Sequence, residues 1–468
     1  MKLVWFRNDL RTGDHHALYQ ACMDNTGEGV LGVAIITPVQ WKIQDESKSR
    51  VQFWRANLES LSCDLQSLNI PLLILRVPSN REIPALLVEL AKRYQVSGVY
   101  FNREYPLYEQ QRDNAVISAM AEISVPCLSF DSDVVLPAGT VLNQQGLPFK
   151  VFTPFSKRWR QQYLTSNPQP LPVPPVQAKL DISTDSVPKE ICYPITVGAD
   201  WSSERWPAGT EAAHKLLQHY VLEKVADYKQ SRDFPAEPGT SSLSPYLSVG
   251  VLSTRQCLAA MQAYFDQPEW FDSQWVTELI WREFYRHLLV LFPEMNRWEP
   301  FKPEVEEKLS WQYDESLFQA WCKGETGFAI VDAGMKELLE TGWMHNRVRM
   351  ITASFLTKLL RQDWRLGARF FMQHLIDGDF ASNLGGWQWS ASVGADAAPY
   401  FRIFNPMRQA ERFDAKGRYV GQYVPSLQGL TSVQQHDPMF AASYSRPTPI
   451  IDYAYERQYS LDAYKAKS

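Results

Sequence analysis

The chain lacks the commonest signatures of metal, redox-thiol and dinucleotide chemistry. Its six cysteines, Cys22, Cys63, Cys127, Cys192, Cys257 and Cys322, stand singly with no CxxC. That pattern argues for reduced thiols in a cytoplasmic protein and against structural zinc. The eight histidines form no HExxH and no helical pair placed to hold a metal, so no metal is expected. No GxGxxG is present, which removes the usual Rossmann dinucleotide fingerprint. A run of about 18 apolar residues, the length that spans a bilayer, is also missing. The N-terminus MKLVWFRNDLR has no apolar h-region and reads as a first strand, not a signal. Positive charge is not in excess either, since the formal net charge is −5. A nucleic-acid partner would therefore require positive charge concentrated on one face.

What is present is a chain of 468 residues, 45% hydrophobic and 21% charged, enough for two or three domains with a large core. Up to about residue 130, apolar runs alternate with helical patterns. Leu3–Phe6, Val30–Ile36, Leu72–Val77 and Gly98–Phe101 read as buried strands. Between them Trp54, Leu58, Leu61, Leu65 and Leu68 recur as on one helix face. Strand and helix in alternation predict an α/β domain, residues 1–130, built on a doubly wound parallel sheet. Residues 131–205 read as a long irregular linker, with seven prolines from Pro168 to Pro194. From 206 to 468 the pattern is helical, with Thr210 as a candidate N-cap and Leu217, Tyr220, Val221, Lys224 and Tyr228 continuing one face. Further helices are expected over Gln274–Phe292, Phe318–Cys322, Ile330–Thr341, Arg347–Arg361 and Arg369–Ile376. The C-terminal domain is expected to be all-α.

Several clusters carry candidate chemistry. Gly239-Thr240-Ser241-Ser242-Leu243-Ser244-Pro245 groups small hydroxyl residues that can surround an anion at a helix start, although a plain turn and helix cap has the same composition. Glu278 and Trp281 are i,i+3 neighbours on one helix face, with Arg282 beside them. A surface salt-bridged helix is the plainer reading; an exposed indole beside a carboxylate also suits a flat, hydrogen-bonding base. Asp377 and Asp379 stand two apart, which suits a turn better than a helix face, and the further ligands of a calcium loop are missing. The stretch 341–406 packs Trp343, Trp364, Trp387 and Trp389 among arginines and a Gly-rich turn. Leu and Phe fill an ordinary core without an N–H to satisfy, so this density of Trp calls for another reason.

That stretch, with Trp281, Trp311, Asp377-Gly378-Asp379 and Asn383, closely resembles the photolyase/cryptochrome family, and in detail the bacterial class I cyclobutane pyrimidine dimer photolyases. The resemblance runs from Val4-Trp5-Phe6-Arg7 to Phe401-Arg402-Ile403-Phe404-Asn405-Pro406 and includes Lys150-Val151-Phe152-Thr153-Pro154-Phe155. It implies FAD bound in the all-α domain and light-driven repair of cyclobutane dimers in DNA. Electron transfer from the excited reduced flavin to a flipped-out dimer would drive it.

By resemblance, Tyr228, Thr240, Ser241, Ser242, Leu243, Ser244, Trp275, Arg282, Trp343, Arg349, Asp377, Asp379 and Asn383 lie at the FAD. Some relatives carry Arg where this chain has Ser242. Asp377 pairs with Arg349, and Asn383 faces flavin N5. Glu278, Asn346, Trp281, Trp389 and Met350 face the lesion, while Arg232, Arg347 and Arg402 bind phosphates. Trp387, Trp364 and Trp311 form an electron path from flavin to surface, although each alone would read as core. A 5,10-methenyltetrahydrofolate antenna is expected near Glu109, with Asn296 and Arg297 as weaker matches. Six-four photolyases carry His where this chain has Asn346, so a cyclobutane substrate is implied. A cryptochrome-type photoreceptor and a light-independent flavoprotein electron carrier are the alternatives. A monomer with no membrane contact is expected.

Overall fold

Five short apolar runs rich in β-branched residues pair side by side in the computed structural model, which describes residues 1–191, 194–265, 268–444 and 446–465. They are β1 Lys2–Phe6, β2 Val30–Ile36, β3 Leu72–Arg76, β4 Gly98–Asn102 and β5 Cys127–Phe130. All pairings are parallel and the order is β3-β2-β1-β4-β5. The chain winds outward in both directions from β1, the doubly wound arrangement expected. Strand β2 is buried at every residue, which is why it reads as a continuous apolar run instead of an alternating one. Gly32 sits where an added Cβ would lie 3.1 Å from Leu72 and 3.2 Å from the Phe6 ring. Helix Lys48–Ser67 starts on a Ser47 cap and buries Trp54, Leu58, Leu61 and Leu65, the predicted face. β5 was not among the expected strands; its four residues are only half-buried, so its apolar signal is weak.

The chain forms two compact units. The first comprises Met1–Val197, Trp201–Val225 and Ser241–Asn296; the second comprises Gly198–Asp200, Ala226–Thr240 and Arg297–Ser468. The segment expected to be irregular contains helix Phe152–Ser166. Phe152, Phe155, Trp159 and Tyr163 are buried along one face of it, but no side chain caps its start, so the usual N-terminal signal is missing. Gly209, not Thr210, occupies the N-cap of helix Thr210–Glu223. That helix stops at Glu223, so Lys224 is its C-cap and Tyr228 opens a separate short helix, Tyr228–Ser231. Among the described residues no strand follows β5 apart from isolated bridges.

In the second unit, helix Ala329–Thr341 buries Ile330, Val331, Met335 and Leu338. Helix Asn346–Ser354 crosses it closely, because Gly334 has no Cβ; one added there would meet Val348 at 2.3 Å. The helix expected to run on to Arg361 instead changes to a π-helical turn over Phe355–Leu359. Helices Trp364–His374 and Phe380–Ser390 complete the frame of the cavity described next.

Candidate functional site

The second unit holds a cavity of about 160 Å³ lined by Asn346, Arg349, Met350, Ala353, Phe371, Leu375, Asp377, Asp379, Ser382, Asn383, Gly386, Trp387 and Ser390. Four elements converge on it, and helix Trp364–His374 contributes Phe371. Asn346, Arg349 and Met350 share one face of helix Asn346–Ser354. Asp377 lies in the turn before helix Phe380–Ser390, and Asp379 caps that helix by accepting from Ser382 N–H at 2.8 Å. Asn383, Gly386, Trp387 and Ser390 recur along its cavity face.

Arg349 grips Asp377 bidentately, with Nη2 at 3.0 and 2.8 Å from the two carboxylate oxygens. Its Nε donates to Met344 C=O at 2.7 Å, which fixes the fork. Asp377 is nearly buried, so the pair removes a charge that would otherwise be costly in this wall. Asn383 donates its amide to Ala368 C=O at 2.9 Å. With Nδ2 committed there, Oδ1 is the acceptor end of the side chain. At Gly386 an added Cβ would meet nothing within 4 Å. A methyl group would therefore project into open cavity, as expected for a wall that a flat ring approaches closely. His345 caps the Asn346 helix through Nδ1, accepting from Arg347 N–H at 3.1 Å. Burial pushes its pKa down to about 4, so the ring is neutral near pH 7.

The three candidate electron-transfer tryptophans sit in the same unit. Trp364 is fully buried, Trp387 almost so, and Trp311 partly exposed. The Trp364 helix packs tightly on Trp387: a Cβ at Gly367 would lie 2.1 Å from Trp387 Cη2. Trp311 and Trp364 both donate their indole N–H to Glu306. Arg347 is ion-paired to Asp233 at 2.8 Å, and Arg232 lies 3.7 Å from the same carboxylate. Arg402 is exposed, and Lys358 Nζ donates to its C=O at 3.1 Å. Trp343 and Trp389 are half-buried and do not line the cavity.

The remaining candidates belong to the first unit, except Tyr228, Thr240 and Arg297. Trp281 is not the exposed indole expected: it is half-buried, and one face stacks on Phe152 at 3.7 Å and 6°. Glu278 accepts from Gln274 Nε2 at 2.8 Å. Arg282 donates to Asp133 C=O at 2.7 Å and pairs with the Asp133 carboxylate. Trp275 is buried against Tyr220, with ring centroids 5.0 Å apart. Ser242 takes a left-handed φ of 53° just before the short helix Ser244–Ser248, and Ser241 Oγ accepts from Leu243 N–H at 3.4 Å.

A second, smaller cavity of about 50 Å³ opens beside Trp5, Arg7, Gln44, Trp54, Glu109 and Arg112. Burial, and then Glu104, raise the Glu109 pKa to about 7. One of its oxygens accepts from Gln44; the other has no partner. Asn296 lies outside this lining and donates to Leu289 C=O at 2.9 Å. Among the described residues no metal-holding cluster exists and five cysteines are free; Cys192 lies outside them. No helix is long and apolar enough to cross a membrane.

The sequence reading did not show that Asp133, Asp233, Gln44 and Glu306 hold the expected residues in place, or that Phe152 stacks on Trp281. Only Phe152 carried a local signal, the helical spacing of Phe152, Phe155 and Trp159.

The first unit carries the α/β sheet and the second, helical unit encloses this cavity; comparison with known proteins supplies the family. Residues 275–466 match the FAD binding domain of DNA photolyase, and residues 2–175 match DNA photolyase. The deoxyribodipyrimidine photo-lyase of Vibrio cholerae is 41% identical over 99% of both chains, and that of Escherichia coli 40% identical over 99% of this chain and 98% of its own. A class III photolyase from Agrobacterium tumefaciens superposes with TM-score 0.87 at 32% identity, covering 100% of this chain and 97% of that one. A Synechocystis cryptochrome gives 0.82 at 26%, covering 99% of each. This chain belongs to the DNA photolyase family.

Proposed function

We propose that the chain is a light-driven DNA repair enzyme that binds FAD and splits cyclobutane pyrimidine dimers. The observation that carries this reading is the cavity with Asn383, the Arg349–Asp377 pair, Gly386 and Trp387 in its wall, in a chain of this family. The residues fit a flavin ring. Gly386 leaves open space, Asn383 offers an uncharged acceptor, and the Arg349–Asp377 pair adds no net charge. Bound reduced FAD supplies the electron that light delivers to the dimer and that returns once the ring is split.

The chain's own residues bind and orient. Tyr228, Thr240, Ser241, Ser242, Leu243, Ser244, Trp275, Arg282, Trp343 and Asp379 complete the proposed cofactor contacts. A dimer must leave the duplex to reach a buried flavin, and its poor stacking lowers that cost. Trp281, backed by Phe152, offers its indole for stacking, and Trp389 serves the same end. Arg232, Arg347 and Arg402 contact phosphates and supply locally what the net charge of −5 does not. Asn346 donates its amide to a base carbonyl, Glu278 hydrogen-bonds a base edge, and Met350 packs against the base.

Asn346 cannot shuttle a proton, and His345 is capped and neutral. Six-four products, whose repair needs that transfer, are therefore excluded as substrates. The Glu109 cavity offers an unpaired acceptor that suits a pterin amino group, and Glu109 would hold the proposed 5,10-methenyltetrahydrofolate antenna there. The proposed setting is the cytoplasm, with the protein acting as a monomer.

The test is illumination of flavin-loaded, reduced protein with an oligonucleotide carrying one cyclobutane dimer. Loss of the dimer with a six-four oligonucleotide left intact is expected. Light-induced flavin changes without dimer loss would turn the reading toward a photoreceptor.

A further inference from the structure

Trp311 and Trp364 lie far apart in sequence, yet both indole N–H groups donate to one oxygen, Glu306 Oε1, at 3.3 and 2.9 Å. Arg365 closes the other side of that carboxylate, with Nη1 3.0 Å from Oε1 and Nη2 2.8 Å from Oε2. Its Nη1 also reaches Asp363 at 3.1 Å, and its Nε donates to Trp298 C=O at 2.8 Å. The guanidinium carbon lies 4.6 Å from the centroid of the Trp364 ring. Burial raises the Glu306 carboxyl, but hydrogen bonds from Arg365 and Trp364 outweigh it and hold the pKa below the ordinary value. Glu306 is therefore an anion near neutral pH.

An indole that has lost an electron carries positive charge, which a neighbouring anion stabilises and a neighbouring cation opposes. Glu306 touches both indoles. Arg365 lies over Trp364, where it offsets the anion. We propose that the Glu306–Arg365 ion pair biases the oxidised site outward from Trp364 to Trp311, with Glu306 as the positioning residue that serves both indoles. This rests on the reading of the three tryptophans as an electron path. In that path Trp387 gives one electron to bound, photo-excited oxidised flavin, Trp364 gives one to Trp387, and Trp311 gives one to Trp364. An external thiol, reacting as its thiolate after releasing its proton to water, gives one to Trp311 and becomes a thiyl radical. No bond has to form or break among the indoles and no proton has to move between them. If the cluster were only structural, Glu306 would simply fasten the 303–306 helix to its neighbours.

Flash photolysis of the flavin-loaded protein with a thiol separates these accounts, with the ultraviolet resonance Raman indole N–H band of flavin-free protein as a second readout. Glu306→Gln keeps an acceptor oxygen but removes the charge, so the N–H band should persist while the yield of long-lived tryptophan radical falls about threefold or more. Arg365→Met removes the cation from Trp364 and leaves the oxidised site more on that buried ring. Its radical should react with thiol about twofold more slowly. The yield should fall in Glu306→Gln but not in Arg365→Met, and that contrast is the signature of charge. A wild-type yield in Glu306→Gln, or a parallel fall in yield in both variants, overturns the proposal. Trp311→Phe tests the path itself: if it photoreduces at the wild-type rate, the electron-path reading fails, whatever Glu306 does.

Discussion

The two cavities treat a covered carboxylate in opposite ways. In the helical unit Asp377 is gripped by Arg349 and both its oxygens accept hydrogen bonds. In the sheet unit Glu109 has one oxygen on Gln44, the other unpartnered, and a pKa of about 7. Its nearest charged neighbours are already engaged, since Arg112 and Arg7 pair with Asp113 and Glu104. A carboxylate whose oxygens are both held by a guanidinium is fixed in place before a ligand arrives. A carboxyl left half-satisfied has a protonation state that depends on what lies next to it. The helical cavity is built for chemistry and the sheet cavity for response.

Breaking the first arrangement gives the largest expected effect. Arg349→Ala leaves Asp377 nearly buried without its partner, which costs about 3 kcal/mol in the helical unit. Flavin content after purification should collapse along with it. Denaturant unfolding followed by tryptophan fluorescence checks the first, and the flavin absorbance ratio checks the second. Normal flavin content in Arg349→Ala would show that the pair does not shape the cavity.

An intermediate effect is expected where the sheet-containing unit presents Trp281. Phe152 covers one face of that indole at 3.7 Å, so Phe152→Ala loses a stacked aromatic pair and frees the ring to rotate. Affinity for dimer-containing oligonucleotide should fall by about 1 kcal/mol. Binding of undamaged DNA should change much less, because phosphate contacts carry it. Equal losses for both DNAs would mean that Phe152 supports the unit as a whole, not the indole.

The order in which these features become legible follows from the range of the interactions. β2 was readable because a strand buried on both faces must be apolar throughout, and that is a local property. The Arg349–Asp377 pair and the Asn383 wall were recognisable by motif, since Asp377 and Asn383 lie close in sequence. Phe152 under Trp281, Asp133 on Arg282 and Glu306 on Trp364 were not, because each contact joins residues far apart in the chain. The half-exposure of Trp281 was misjudged for the same reason: helix Gln274–Leu291 declares its own apolar face but not what packs on its edge. Helix Phe152–Ser166 was missed because the prolines after it drew the whole segment into one linker.

The smallest effect concerns Glu109 and depends on sign. Its folded pKa of about 7 lies above the ordinary carboxyl value of 4.5. Between those values the folded state holds a proton that the unfolded chain releases. Stability from this group is therefore present at low pH and lost as pH rises from about 4.5 to 7, with no further loss above. Glu109→Gln has no such proton, and its amide oxygen can still accept from Gln44. Relative to the unmodified protein, the variant should gain stability across that window and hold the gain at pH 8. Water reaches part of this side chain, so the gain is about 1 kcal/mol and not the full value of an enclosed group. Glu46, ion-paired to Arg50, also has a raised pKa, but it is present in both proteins and cancels in the difference. Unfolding midpoints of both proteins at pH 5 and pH 8 measure that difference. Parallel midpoints would mean that Glu109 is ionised throughout, and the contrast between the two cavities would then rest on geometry alone.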